Sequence, residues 1–188
     1  MHHCGTRTIE TKRLILRRFA PEDAGAAFRN WMSDPAVTEF LTWQPHPDPE
    51  HTAELLRRWI AAYEKPDYYQ WAIELRELGE PIGSISVVGQ NERVEMAHIG
   101  YCIGKPWWHR GYTSEALAAV IRYLFREVGV NRIETVHDPE NPHSGGVMRK
   151  CGMHYEGTLR QATRSNRGIT DAAMYSILAN EYEGAKQG

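Results

Sequence analysis

The 188 residues carry 22 lysines and arginines against 24 aspartates and glutamates, a net charge of −2, and 41% of them are hydrophobic. A chain of this length can bury one sizeable core, so one domain is expected, and the near-neutral balance gives no electrostatic footprint for a nucleic-acid backbone. No apolar run is long enough to span a membrane, and the opening stretch MHHCGTRTIETKR lacks the apolar centre of a secretory signal.

Residues 1–8 read as a flexible terminus. Leu14, Ile15, Leu16 and Phe19 make a short first strand. Pro21-Glu22-Asp23 opens a helix with Ala24, Ala27, Phe28, Trp31 and Met32 on its apolar face, and Asp34-Pro35 ends it. Val37 to Asp48 is irregular. Glu50 to Glu64 forms a second helix, with Leu55, Leu56, Trp59, Ile60 and Tyr63 on one side. Strands follow at Tyr69 to Arg76, Ile82 to Val88 and Val94 to Ile103, with turns at Gly79-Glu80 and Gln90 to Arg93. A loop from Gly104 to Gly111 feeds a long helix that begins at Tyr112. Its apolar face is Leu117, Val120, Ile121, Leu124 and Val128, and Gly129 stops it. Ile133 to His137 is a strand and His143 to Lys150 a short helix. Met153 to Leu159 and Thr170 to Tyr182 close as a hairpin, leaving 183–188 as a tail. No repeat or linker interrupts the chain, so 9–182 reads as one mixed α/β domain.

The loop and helix around Gly111 form the first functional signal. Unpaired N–H groups and the positive end of the dipole make a helix start a seat for an anion such as a phosphate. Thr113 or Ser114 is placed to cap this turn. No glycine run ends in Gly-Lys-Ser/Thr, and no G-x-G-x-x-G follows a strand. These absences exclude a P-loop and a dinucleotide fingerprint. Cys4, Cys102 and Cys151 are odd in number and scattered, which fits free thiols in a reducing, cytoplasmic compartment. Cys151 with His154, and His137 with His143, lack a second ligand pair at metal spacing, so no metal is expected.

The ordered stretches IGYCI, WWHRGYTSEAL, RIETVHDPENPHSGGVMRKCGM and YEGTLR resemble the GNAT superfamily of acyl-CoA-dependent N-acyltransferases. The opening ETKRLILRRFAPEDA and the late ITDAAMYSIL are similar to the branch that holds the ribosomal-protein N-terminal acetyltransferases RimJ and RimL. The resemblance runs from about Ile9 to Tyr182. It implies a central, mostly antiparallel sheet with one splayed parallel pair of strands, flanked by about four helices. It implies acetyl-CoA as cofactor, gripped at its pyrophosphate by backbone N–H groups of His109, Arg110, Gly111, Tyr112, Thr113 and Ser114. The family's loop motif falls on Pro106, His109 and Gly111, and only Gly111 keeps the family residue type. The family's pantetheine arm lies between the splayed strands, which implies pairing with backbone groups of Cys102 and Ile103.

Asn141 and Ser144 read, without the family, as an Asn-Pro turn and a helix-capping serine. The resemblance places Asn141 against the pantetheine region and makes Ser144 the proton donor to the departing thiolate. An amine with a pKa near 10 must lose a proton before it attacks a thioester. The branch usually reads Glu-Ile-Gly-Tyr where this chain has His98-Ile99-Gly100-Tyr101. His98, Glu95 or a water is therefore the expected base; alternation groups Glu95 with Ile99 and Tyr101, and His98 with Gly100 and Cys102. A strand histidine bonded to a neighbour is the plain alternative for His98. Trp43, Tyr68, Tyr69, Trp71 and Trp107, with Glu39, Asp48 and Asp171, are candidates for an acceptor pocket, and Phe40 to Pro49 for its specificity. Two functions follow. One is direct acetyl transfer to a primary amine, of a protein N-terminus or a small molecule, without an acyl-cysteine. The other is a catalytically degenerate acyl-CoA-binding module. Either would act as a monomer or homodimer, with no nucleic acid or membrane partner.

Overall fold

A computed structural model describes residues 1–184. Two short strands, β1 (Ile9–Glu10) and β2 (Leu14–Arg17), open the chain. They are followed by α1 (Asp23–Ala27), which continues as a π-helical turn over Phe28–Met32, then α2 (Pro35–Thr38) and α3 (Pro49–Ala62). Strands β3 (Gln70–Leu75), β4 (Glu80–Asn91) and β5 (Met96–Ile103) come next. α4 (Tyr112–Tyr123) also runs on as a π-helical turn, Leu124–Val128. β6 (Arg132–His137), α5 (Pro142–Lys150), β7 (His154–Ser165), β8 (Gly168–Leu178) and α6 (Ala179–Gly184) complete the described chain.

All eight strands form one sheet in the order β1-β2-β3-β4-β5-β6-β8-β7. Every pair is antiparallel except β5 with β6. One face carries α4 and α5. There Leu117, Val120 and Ile121 of α4 and Met148 of α5 join Leu16, Ile73, Ile85, Ile99, Ile133 and Ile177 in the main core. The other face carries α1 and α3. Phe19, Trp31, Leu56 and Ala72 form a second core, with Cys102 and Trp108 packed against it. The mixed single sheet with one parallel pair matches the expected fold, with six helices where about four were expected.

Four local expectations change. Asp34-Pro35 ends one helix and starts another: Asp34 accepts from the Ala36 N–H at 2.8 Å and Pro35 takes the first helical position. β7 continues to Ser165, six residues past Leu159, and β8 stops at Leu178, where α6 begins. Residues 1–8 are not loose. The His2 N–H donates to the Val128 carbonyl at 2.7 Å, and the Gly5 N–H to that of Pro66 at 2.7 Å. The buried Thr6 hydroxyl donates to the Tyr68 carbonyl at 3.0 Å. These bonds, one to the end of the π-helical turn after α4 and two to the stretch between α3 and β3, hold a segment whose composition alone predicts fraying. The expected tail at 183–188 begins in α6, and its part from 185 on lies outside the described residues.

Candidate active site

The parallel strands set the site. β5 and β6 pair at only three rungs, Met96 with Arg132, Ala97 with Ile133 and His98 with Glu134. Beyond His98 the two strands separate, and β6 leans on β8 instead. The result is a V-shaped gap with Ile99–Ile103 on one side, Thr135–His137 on the other and His98 with Glu134 at its apex.

The Gly104 N–H, next after β5 and still extended, donates to the Ile82 carbonyl on β4. Backbone direction alternates along an extended strand, so odd-numbered residues of β5 face the gap and even-numbered ones face β4. Of the two residues expected to pair with a ligand arm, Ile103 faces the gap. Cys102 does not: it stands in register with Ser84 of β4. Tyr101 takes its place. The Ile103 carbonyl itself accepts from the Trp108 indole at 2.8 Å.

The loop at the open end of the V turns on two left-handed residues, His109 (φ 60°) and Gly111 (φ 78°). His109 adopts the backbone that a glycine would supply without strain. Gly111 is the N-cap of α4 and no side chain caps this turn, so the expected capping by Thr113 or Ser114 does not occur. The N–H groups of Tyr112, Thr113 and Ser114 are left open to an anion. Arg110 is exposed beside them. The His109 ring meets His143 edge-on at 4.6 Å, which joins the loop to the start of α5.

Residues from the far end of the chain hold this loop. Glu115, in the first turn of α4, accepts from the Thr11 hydroxyl at 2.7 Å, the Arg13 N–H at 2.8 Å and the Arg13 guanidinium at 2.6 Å. Arg13 also donates to the Arg110 carbonyl at 3.0 Å and lies over the Tyr112 ring at 4.3 Å. Burial raises the Glu115 pKa, but the hydrogen bonds from Thr11 and Arg13 outweigh it, and the net shift is downward. Arg13 thus neutralises the one carboxylate that would repel an anion from this helix start. Replacing Arg13 with alanine should raise KM for an anionic ligand of the loop about tenfold with kcat nearly unchanged, read by steady-state kinetics.

Asn141 is the N-cap of α5, yet its side chain caps nothing. Its Nδ2 donates to the Ser144 hydroxyl at 3.1 Å, which leaves the hydroxyl proton free to be given elsewhere. The phenol of Tyr101 reaches from β5 to the Ser144 carbonyl at 3.2 Å, and burial pushes its pKa up. Tyr101, inside the stretch IGYCI, joins the candidate site although its residue type alone does not mark it in the sequence. Arg149 is committed to the Tyr175 hydroxyl at 2.8 Å.

His98 is about a quarter exposed, and its Nδ1 lies 3.4 Å from a Glu134 carboxylate oxygen. Glu95 is not on the strand. It sits in the turn before β5 with φ 50°, three residues from the apex at the end remote from the loop. With β5 starting at Met96, Glu95 shares no strand face with Ile99 and Tyr101.

Tyr69 and Trp71 are buried in the α4-side core, away from any acceptor. Asp48 caps α3 through the His51 N–H at 2.7 Å. Asp171 accepts from the Gln161 N–H at 2.9 Å. It lines a surface depression of about 750 Å³ with Leu159, Arg160, Gln161 and Ala162, on the two strands beyond β6. The loop after α2 is tied to the tip of the β7–β8 hairpin. Asn166 donates to the carbonyls of Leu41, Thr38 and Trp43 at 3.0, 2.8 and 2.7 Å, and accepts from Gln44 at 2.6 Å. Arg167 bonds Asp138 at 3.3 Å and Glu140, just past the end of β6, and lies near Glu39 at 3.8 Å. Trp43 and Leu41 pack on the same core as Cys102 and Trp108, which sets the loop and the hairpin tip it is tied to on the side of the sheet where Cys102 of β5 packs.

The same loop carries a pH-sensitive contact. Burial, then the charges of His51 and Arg58, push the pKa of His46 down, and its ring bonds the Thr52 hydroxyl at 2.8 Å. A depressed pKa favours the neutral folded form. Its contribution is complete above the unfolded histidine pKa of about 6.5 and is lost as the pH falls through the lower folded value. Thermal melts should show stability falling below about pH 6.5, and His46→Gln should flatten that fall.

A single mixed sheet, a parallel pair that splays and an uncapped helix start at the open end of the splay are the arrangement that the resemblance to the GNAT superfamily implies. The acetyltransferase (GNAT) domain model matches residues 13–154, and the chain belongs to this family. The uncharacterized N-acetyltransferase YoaA of Bacillus subtilis is 32% identical over 170 residues, 90% of this chain and 96% of that protein. The [ribosomal protein uS5]-alanine N-acetyltransferase of Escherichia coli is 38% identical over 60 residues, 32% of this chain and 31% of that one. The crystal structure of a GNAT-family acetyltransferase from Bacillus anthracis superposes with a TM-score of 0.80 at 25% identity, covering 93% of this chain and 99% of that one. RimL, a ribosomal L7/L12 α-N-protein acetyltransferase in complex with coenzyme A, shares the fold at a TM-score of 0.81 and 22% identity over 92% of this chain and 98% of that one. No helix among the described residues is long and apolar enough to cross a membrane.

Proposed function

We propose that the protein transfers an acetyl group from acetyl-CoA to a primary amine, by direct attack within a ternary complex. The observation that carries this reading is the separation of β5 from β6 after His98 and Glu134, with the uncapped start of α4 at the open end. Acetyl-CoA supplies a thioester carbonyl and a thiol leaving group. The N–H groups from His109 to Ser114 would hold its pyrophosphate, with Arg110 adding a positive charge. The gap-facing backbone of Tyr101 and Ile103 would hold its arm, beside Asn141. His98 then takes one proton from the acceptor ammonium, and the amine nitrogen bonds the acetyl carbon as the carbon–sulfur bond breaks; Ser144 gives its hydroxyl proton to the departing sulfur and takes up in exchange the second proton that the nitrogen sheds as the amide forms.

No acyl-cysteine is needed. Burial pushes the Cys151 thiol up to about 12 and the Cys102 thiol upward, so neither is a thiolate at neutral pH. Cys102→Ala and Cys151→Ala should each keep kcat within roughly threefold, and double-reciprocal plots should intersect. Parallel plots, or loss of activity in either variant, would contradict direct transfer.

The acceptor is the amine of a small molecule or of a protein N-terminus, and the loop after α2 that Asn166 holds packs on the same core as Cys102 of β5. The free thiols and the ribosomal-protein relatives support a cytoplasmic setting. An amine panel scored by release of free thiol tests the whole reading. Acetyl-CoA bound without thiol release to any amine would leave a binding module; no binding by calorimetry would end both.

A further inference from the structure

The base proposed above has a partner on the neighbouring strand that neither the family match nor the sequence singles out. We infer that Glu134 is a positioning residue for His98: it fixes the proton on Nδ1 and leaves the Nε2 lone pair free for the acceptor. The inference rests on the reading of His98 as base.

The geometry runs across four strands. Ser176 on β8 donates to Glu156 on β7 at 2.6 Å. Arg132 on β6 grips both Glu156 oxygens at 2.8 and 2.7 Å and gives its Nε to Glu134 Oε2 at 2.9 Å. That leaves Glu134 Oε1 for His98 Nδ1 on β5, at 3.4 Å. One Glu134 oxygen is therefore locked and the other is aimed. A carboxylate that accepts from Nδ1–H sets the tautomer of the ring and steadies the imidazolium that forms when Nε2 takes a proton. The charges agree. One guanidinium against two carboxylates leaves one negative charge, and protonation of His98 cancels it. Across β4, the residue in register with His98 is Gly89, which brings no competing polar side chain. The position matters because His98 and Glu134 form the last paired rung of the V, where a ligand lying between the strands must end.

The first measurement needs no variant: ¹⁵N correlation spectra of the His98 ring in the whole protein should show the Nδ1–H tautomer. Glu134→Gln should abolish that preference and lower kcat about tenfold or more, with KM for acetyl-CoA changed less than twofold. An Nε2–H tautomer in the unaltered protein overturns the inference. So does full kcat in Glu134→Gln alongside a crippled His98→Ala, which would spare the base and remove only its partner. Full activity in His98→Ala would instead remove the base reading, and this inference with it.

Discussion

His98→Ala should lower kcat/KM for the amine by about a hundred- to a thousandfold, the usual worth of a positioned general base. Binding of acetyl-CoA, measured by calorimetry, should be unchanged. The argument is positional. His98 stands on the strand that borders the gap, at its apex, while the anion seat lies eleven or more residues further along at the loop from His109 to Ser114. Loss of its ring therefore removes a proton acceptor and leaves the cradle alone. A deficit in kcat/KM that vanishes when the assay is run well above the pKa of the acceptor amine would strengthen the assignment, because a neutral amine needs no base. Loss of cofactor affinity in His98→Ala, with kcat preserved, would give the residue a different role.

The second large effect is structural and comes from Gly83. A Cβ placed there would meet the Cys102 carbonyl oxygen at 2.3 Å and the Ile103 Cα at 2.8 Å. Both are backbone atoms, so no side chain can swing aside; β5 itself must move away from β4. Gly83→Ala should cost about 3 kcal/mol in denaturant unfolding, at the upper end of overpacking effects. The displaced segment is the one that borders the gap, so acetyl-CoA affinity should fall by about tenfold. Gly146, inside α5, is the matched control. A Cβ there meets nothing within 4 Å, and Gly146→Ala should stabilise by about 0.5–1 kcal/mol. Equal stability in the two variants would refute the crowding argument.

The centre of the site was legible because its elements are buried on one side. β5, the loop and α4 show period 2 and then period 3.6, and the main core lies under them. β7 from Arg160 to Ser165 was not legible. Four of its six residues are exposed and only Ser165, at its end, is buried, so no alternation marks it. Glu95 was misplaced because alternation was extended into a turn, where a positive φ breaks it. Arg13 and Glu115 are 102 residues apart, and His98 and Glu134 are 36 apart. A single sequence carries no signal for such pairs, since each residue alone is an ordinary charged side chain on its own element. The loop at His109 was legible in type but not in detail: the departure from glycine was visible, and the left-handed turn that accommodates it was not.

The hairpin tip at Asn166 ties together segments more than 120 residues apart in sequence. Its four hydrogen bonds to the loop from Thr38 to Gln44 are worth about 0.5–1.5 kcal/mol each. The loop then cannot swing unless the end of the β7–β8 ribbon goes with it. The two segments move as one body, and a change at Asn166 acts on the loop as directly as a change within it.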